Sequence, residues 1–357
     1  MQSSTHRLAS SGAGRGRLLL YAALFLLVFG GLLAVAAFYD LRLDAFLTRS
    51  ALAPGQYYTN QVFGTFFEIV GDSPVELFLA FAIDVIFVWS LRFTRGKKRA
   101  ALLCVSGVFA AVPGYVLCLI CHNRMTPHLL LGTGAAAASG AYLHLTFAFL
   151  GLLLDLTGLL AVNSLPDDAI ARLIRFAVAT VVFASLSTIL VNLGLKDLFP
   201  RLRFRAMNLR PDDPVCGFDA FARWYEFGKN SFDRETLITV YGTADAAKFF
   251  PSGHTAAAGV SYALIMLSDA LRPKRRAVRA ALWLIPIAFT GTVAVSRMLV
   301  GAHFLSDTLC GGTLSFLLML AAREVILLRG QNVRTLLGRK TRKARPDQPQ
   351  KETAAKS

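Results

Sequence analysis

Residues 18–38 read LLLYAALFLLVFGGLLAVAAF, a run without one charged side chain. At 1.5 Å of rise per residue, a helix over this run is about 31 Å long, enough to cross the hydrocarbon of a bilayer. Apolar runs bounded by charge or turn residues recur at 74–91, 101–121, 143–163, 176–195, 253–269, 279–296 and 306–328. Eight spans are therefore expected. The Gly/Ala-rich stretch Leu129 to Ala141 reads as a loop, a re-entrant segment or an early start to the fourth span, so six or seven spans also fit. Composition agrees: of 357 residues, 55% are hydrophobic and 17% charged, and the mean hydropathy is +0.52. Soluble domains carry about a quarter charged residues, so a soluble enzyme is excluded. The expected fold class is an all-α, polytopic transmembrane helix bundle.

Charge placement sets the orientation. Lys and Arg number 38 against 22 Asp and Glu, a net +16. Arg92, Arg95, Lys97, Lys98 and Arg99 crowd one connection, and Arg272, Lys274, Arg275, Arg276 and Arg279 another. Segment 39–72 holds only Arg42 and Arg49, and segment 122–142 only Arg124. By the positive-inside rule the first two connections face the cytoplasm, and eight spans put both termini there too. Topology thus accounts for most of the basic excess, and no nucleic-acid partner is expected. The triplet Ala34-Val35-Ala36 has the form of a signal-peptidase site, but the apolar run before it is long for a signal sequence.

The chain divides into N-terminal transmembrane helices and loops (1–142), a core bundle (143–328) with a long hydrophilic connection at 196–251 on the non-cytoplasmic side, and a basic, disordered cytoplasmic tail (329–357). In the connection, Phe218, Phe221, Trp224 and Tyr225 fall at helical spacing, as in a short interfacial helix or in aromatics packing the loop onto the bundle.

Three pieces near span ends on that side carry chemistry. The first is Lys196, six residues, then Arg203. The second is Pro251-Ser252-Gly253-His254, opening span six. The third is Ser296-Arg297, five residues, His303, three residues, Asp307, opening span eight. Two histidines, a lysine and two arginines near one face make a cationic pocket suited to phosphate, because Arg gives planar bidentate contacts and Lys a point charge. His254 sits at a helix N-terminus, where free amides and the Ser252 hydroxyl can cradle phosphate oxygens. His303 and Asp307 are four residues apart and share a helical face, so the carboxylate can hold one ring nitrogen as N–H and leave the other as a nucleophile.

These pieces resemble the tripartite signature of the type-2 phosphatidic acid phosphatase (lipid phosphate phosphatase) superfamily: Lys-x6-Arg-Pro, Pro-Ser-Gly-His and Ser-Arg-x5-His-x3-Asp. The second and third match at every specified position. In the first, Phe204 stands where the family usually has proline, and Pro200 where many members have glycine. Arg201 and Arg205 flank Arg203, which leaves open which guanidinium enters the pocket. The resemblance covers 196–307 and implies a six-helix-type phosphatase core and a metal-independent hydrolase working through a phosphohistidine, with no cofactor. It gives catalytic roles to His303 as nucleophile, Asp307 as its orienter and His254 as acid and base. Lys196, Arg203, Ser252, Gly253 and Arg297 become phosphate ligands. The implied partner is a phosphorylated membrane lipid within the bilayer, of undecaprenyl diphosphate, phosphatidic acid or phosphatidylglycerophosphate type. The implied location is the plasma membrane, with the site on its non-cytoplasmic face. A phosphotransferase on the same scaffold, or a lipid or solute transporter, is the alternative; the intramembrane acids Asp84 and Asp155 favour transport, whereas His303 and Asp307 do not. Cys118-Leu-Ile-Cys121-His122 has haem-attachment spacing but lies inside an apolar helix, where buried cysteine is ordinary.

Overall fold

A computed structural model describes residues 14–48, 62–129, 136–196, 198–226, 234–241 and 247–338. Its helices are α1 Arg15–Thr48, α2 Val62–Val70, α3 Ser73–Phe93, α4 Gly96–Ala110, α5 Pro113–Leu129, α6 Ala136–Asn163, α7 Asp167–Ile189, α8 Phe204–Met207, α9 Arg234–Tyr241, α10 Gly253–Ala258, α11 Ala263–Leu271, α12 Arg276–Leu299, α13 Leu305–Ala322 and α14 Gln331–Leu336. Among the described residues there is no strand, only an isolated bridge between Arg201 and Lys248. The chain is an all-helical membrane bundle.

Seven helical stretches among the described residues are long and apolar enough to cross a membrane: Arg15–Thr48, Val62–Phe93, Gly96–Asn123, Leu143–Asn163, Asp167–Leu195, Arg276–Leu299 and Leu305–Leu327. The expected span at 253–269 is helical, α10 continuing through a 3-10 turn into α11, but it is not among these seven. It is the central helix: Val260, Ala263, Ile265 and Met266 are wholly buried. A helix surrounded by protein needs no lipid-facing surface, so its hydropathy can fall.

The expected span at 101–121 is also modified, because α4 ends at Ala110 and α5 begins at Pro113. Proline has no N–H for the helical ladder and clashes with the carbonyl four residues back. The freed first turn of α5 is capped from α6, where Asp155 Oδ1 accepts from the Gly114 amide at 2.8 Å. Of the stretch Leu129 to Ala141, residues 130–135 lie outside the described ones; α6 begins at Ala136. Residues 331–336 of the expected disordered tail form α14, which packs against α1.

Small side chains let the core helices close on one another. Ser315 on α13 donates to the Ala256 carbonyl at 2.7 Å, and its Oγ lies 2.6 Å from Ser187 Oγ on α7, tying three helices together. The two ends of the bundle are distinct. α3 runs from Asp72, beside His254, to Arg92, which bonds Asp167 and the carbonyls of Asn163 and Leu165. α13 runs from Asp307 to Arg323, which bonds Asp269 at 2.6 Å. Each helix is about 30 Å long. The three motif pieces thus gather at one end, and the two basic connections lie at the other.

Candidate active site

Four elements bring the motif residues together. α7 finishes in a π-helical turn, Leu190–Leu195, that delivers Lys196 to the start of α10. A Cβ built on Gly253 would stand 2.9 Å from Lys196 Nζ, so only glycine leaves the ammonium its place. Ser252 is the N-cap of α10; its Oγ accepts from Thr255 N at 3.4 Å and Thr255 Oγ1 at 3.1 Å, and its amide donates to the Asp307 carbonyl at 2.9 Å. The Ser252 hydroxyl is fully buried, turned into the helix start that the sequence reading expected it to help open to phosphate.

Between α12 and α13 the chain reverses at Gly301, whose φ of +59° disfavours any residue with a Cβ. The turn folds His303 back so that its amide reaches the Arg297 carbonyl at 3.3 Å. His303 is 4% exposed, and its Nδ1 lies 3.5 Å from Asp307 Oδ2. That is long for a hydrogen bond. Asp307 Oδ2 also accepts from the Phe304 amide at 2.9 Å, which fixes the carboxylate at the first turn of α13. Burial, and then the positive charges of Arg203, Arg297, Lys196 and Arg205, push the His303 imidazole well below the usual histidine range. Both effects favour the neutral imidazole.

The three flanking arginines separate cleanly. Arg201 is buried at 3% exposure, stacked on Phe304 and Phe221, with Nη1 at 2.6 Å from Asp307 Oδ1 and Nη2 at 2.9 Å from Asp40 Oδ2. Burial opposes its charge, yet Asp307 and Asp40 more than compensate and hold its proton more firmly than usual. Arg201 is committed to carboxylates. Arg203 instead lies over the Phe249 ring at 3.3 Å, and its Nε makes no hydrogen bond. Burial and the neighbouring Arg205 destabilise its charge, which is the electrostatic condition of a group that gains from an anion. Arg205 donates its amide to the Gly301 carbonyl at 3.0 Å.

Sequence reasoning missed the acids of the N-terminal helices. Arg297, 1% exposed, gives Nη1 to Glu68 Oε2 at 2.9 Å, Nη2 to the Gly64 carbonyl and Nε to Ser296 Oγ at 3.3 Å. His254 Nε2 is 3.8 Å from Asp72 Oδ2. Glu68 and Asp72 flank the break between α2 and α3, so that corner presents two carboxylates to the cationic groups. Asp40 had a visible signal: an acid directly after an apolar run, one helical turn before a second, Asp44. The expected helix at 218–225 is a 3-10 turn, Phe218–Ala220, followed by extended chain. Phe218 packs on Phe204 and Phe221 on Phe304, so burying these rings against the bundle prevailed over helical periodicity. Cys118, Cys121 and His122 lie within α5, and no disulfide joins any of the five cysteines. Among the described residues no group of three or more His, Cys, Asp or Glu is placed to hold a metal ion.

Fold and site geometry define the class: a multi-pass helical membrane protein that gathers two histidines and several guanidinium groups at one end of its bundle. Residues 176–330 match the family model described as the PAP2 superfamily, the type-2 phosphatidic acid phosphatase superfamily whose signature the three motif pieces resemble. The match implies phosphatase-type activity on phosphorylated substrates. Searches among curated proteins and among solved structures find no match to the chain.

Proposed function

We propose that the protein is a membrane lipid phosphatase that hydrolyses a phosphate or diphosphate lipid through a phosphohistidine on His303. The observation that carries this reading is the buried His303–Asp307 pair under the charges of Lys196, Arg203, Arg205 and Arg297. With Nδ1 toward Asp307, Nε2 of the neutral ring attacks phosphorus. The bond from phosphorus to the lipid oxygen breaks, and His254 gives that oxygen a proton. Water then attacks the phosphohistidine, His254 takes its proton back, and inorganic phosphate leaves with His303 regenerated. Lys196, Arg203, Arg297 and the start of α10 hold the phosphoryl oxygens and balance the charge developing in the transition state.

A lipid substrate is supported by the depth of the site, at the ends of helices that cross the bilayer, where a head group already lies. A shallow surface indentation beside Arg201, lined by Phe199, Pro200, Trp224 and Phe250, offers apolar surface there. The surplus of guanidinium groups favours a diphosphate over a monophosphate. The basic connections at the opposite end support a site on the non-cytoplasmic face of the plasma membrane.

The test is phosphate release by purified protein from farnesyl diphosphate and dioleoyl phosphatidic acid in detergent micelles, with His303→Ala alongside. Release by wild type and none by His303→Ala is expected, and equal release by both overturns the role of His303. Water-soluble phosphate esters turned over with the same kcat/KM as the lipids overturn the lipid assignment.

A further inference from the structure

Asp40, near the end of the first membrane helix, lies far outside the motif-bearing segment, yet it is 2% exposed and, among the described residues, its carboxylate bonds residues around the nucleophile. Its Oδ1 accepts from the Ser306 amide at 3.1 Å, and its Oδ2 from Ser306 Oγ at 2.5 Å and from Arg201 Nη2 at 2.9 Å. Ser306 is in the first turn of α13, immediately before Asp307. The first amides of a helix have no partner within it, and the N-cap residue of α13 is Phe304, whose side chain can accept nothing. Asp40 therefore supplies the missing cap from another helix, with its negative charge at the positive end of the α13 dipole.

Arg201 makes the second link. Its two arms are divided between Asp40 and Asp307, and Phe304 and Phe221 fix the plane of the guanidinium. Each carboxylate limits how far Arg201 can move toward the other. Without the Asp40 charge, the guanidinium is free to follow Asp307, and a displaced Asp307 no longer presents Oδ2 to both the Phe304 amide and His303 Nδ1.

We propose that Asp40 is a positioning residue for His303, acting through the α13 cap and the Arg201 bridge on Asp307, so that the first membrane helix is part of the catalytic unit. The inference rests on the phosphohistidine reading for its kinetic consequence, but its geometric content stands apart from turnover. Asp40 touches no phosphate-binding group, so its loss acts on kcat and leaves KM alone.

The experiment is a double-mutant cycle of Asp40→Asn and Asp307→Asn, read with the same two lipids. Asp40→Asn is expected to lower kcat by about 10- to 100-fold, with KM within about twofold, and to add nothing in the Asp307→Asn background. Asp44→Asn is the control: one turn further along α1, the Asp44 carboxylate makes no hydrogen bond, and the kcat of this variant stays at the wild-type level. If Asp40→Asn does not accumulate in the membrane, Asp40→Glu carries the test, with a smaller loss of kcat and an unchanged KM. Independent losses that multiply, or an Asp40 variant with wild-type kcat, overturn the proposal. The second arm needs no turnover: in ring-13C histidine spectra, with the resonance assigned by His303→Ala, Asp40→Asn shifts the His303 signal only when Asp307 is intact. An unmoved His303 signal overturns the proposal. A wild type that hydrolyses neither lipid overturns the phosphatase reading instead, and the spectra then decide the role of Asp40.

Discussion

At the site end of the bundle Asp40 and Asp307 share one guanidinium, whereas deeper in the helices Asp84 and Asp155 have no ion pair with Lys or Arg among the described residues. Both pairs are buried. The first is a network in which every carboxylate oxygen has a partner: Arg201, Ser306 and the Phe304 amide. In the second, Asp155 caps α5 through one oxygen, while its Oδ2 and Asp84 Oδ1 make no hydrogen bond. Placing two acids and an arginine where none can leave is costly unless the geometry is good, and that geometry in turn fixes neighbouring groups. The site network fixes a histidine; the mid-bundle acids mend a helix broken by proline.

The comparison is sharpened most by Asp307→Asn. It keeps the side-chain shape but removes the charge that, on the proposed mechanism, both orients His303 and stabilises it once phosphorylated, so kcat is expected to fall by about 100- to 10,000-fold with substrate binding retained. Steady-state kinetics on the lipid pair measure it; a loss confined to KM contradicts an orienting role. The wild-type pH profile comes next. Because the free-enzyme His303 sits well below its usual pKa, kcat/KM stays level as pH falls from 7 through 6.5, and its acid limb appears only at clearly lower pH. A limb centred at 6.5 means that the imidazole is not under the field of the four cations.

Smaller effects test the edges of the network. Glu68 occupies Arg297 where a phosphate oxygen is proposed to bind, but its side chain is 40% exposed, so the pair is worth about 0.2–1 kcal/mol. Glu68→Gln should accordingly tighten competitive inhibition by inorganic phosphate about two- to fivefold; weaker inhibition would mean that Glu68 serves instead to hold Arg297 in place. The least effect on catalysis belongs to the other region. Asp155→Ala is expected to cost about 0.5–2 kcal/mol of stability through loss of the α5 cap, seen as a lower melting temperature in detergent, with kcat unchanged. A large loss of kcat there would erase the distinction between the two clusters and revive a transport role.

Much of the site was legible because its signals are local. The i, i+4 pair His303 and Asp307, the helix start at Ser252–Gly253–His254 and the lysine closing a span are read from spacing alone, and the structure draws all of them to one end of the bundle. Arg201 and Arg203 were not separable in this way. Two residues apart in one short segment, they differ only in what reaches them: for Arg201, carboxylates 161 and 106 residues away in sequence.

Hydropathy and periodicity need no knowledge of neighbours in space, so they alone mark the chain as a helical membrane protein and place most of its spans and its three motif pieces. Packing in space is what makes α10 and α11 a buried central helix, bonds Arg201 to two carboxylates while Arg203 Nε makes no hydrogen bond, and brings Asp40, Glu68 and Asp72 to the motif residues. Those choices rest on ion pairs such as Arg297 with Glu68, 229 residues apart. Charge compensation in a low-dielectric interior is settled by which groups meet after the helices pack, and no local pattern encodes that meeting.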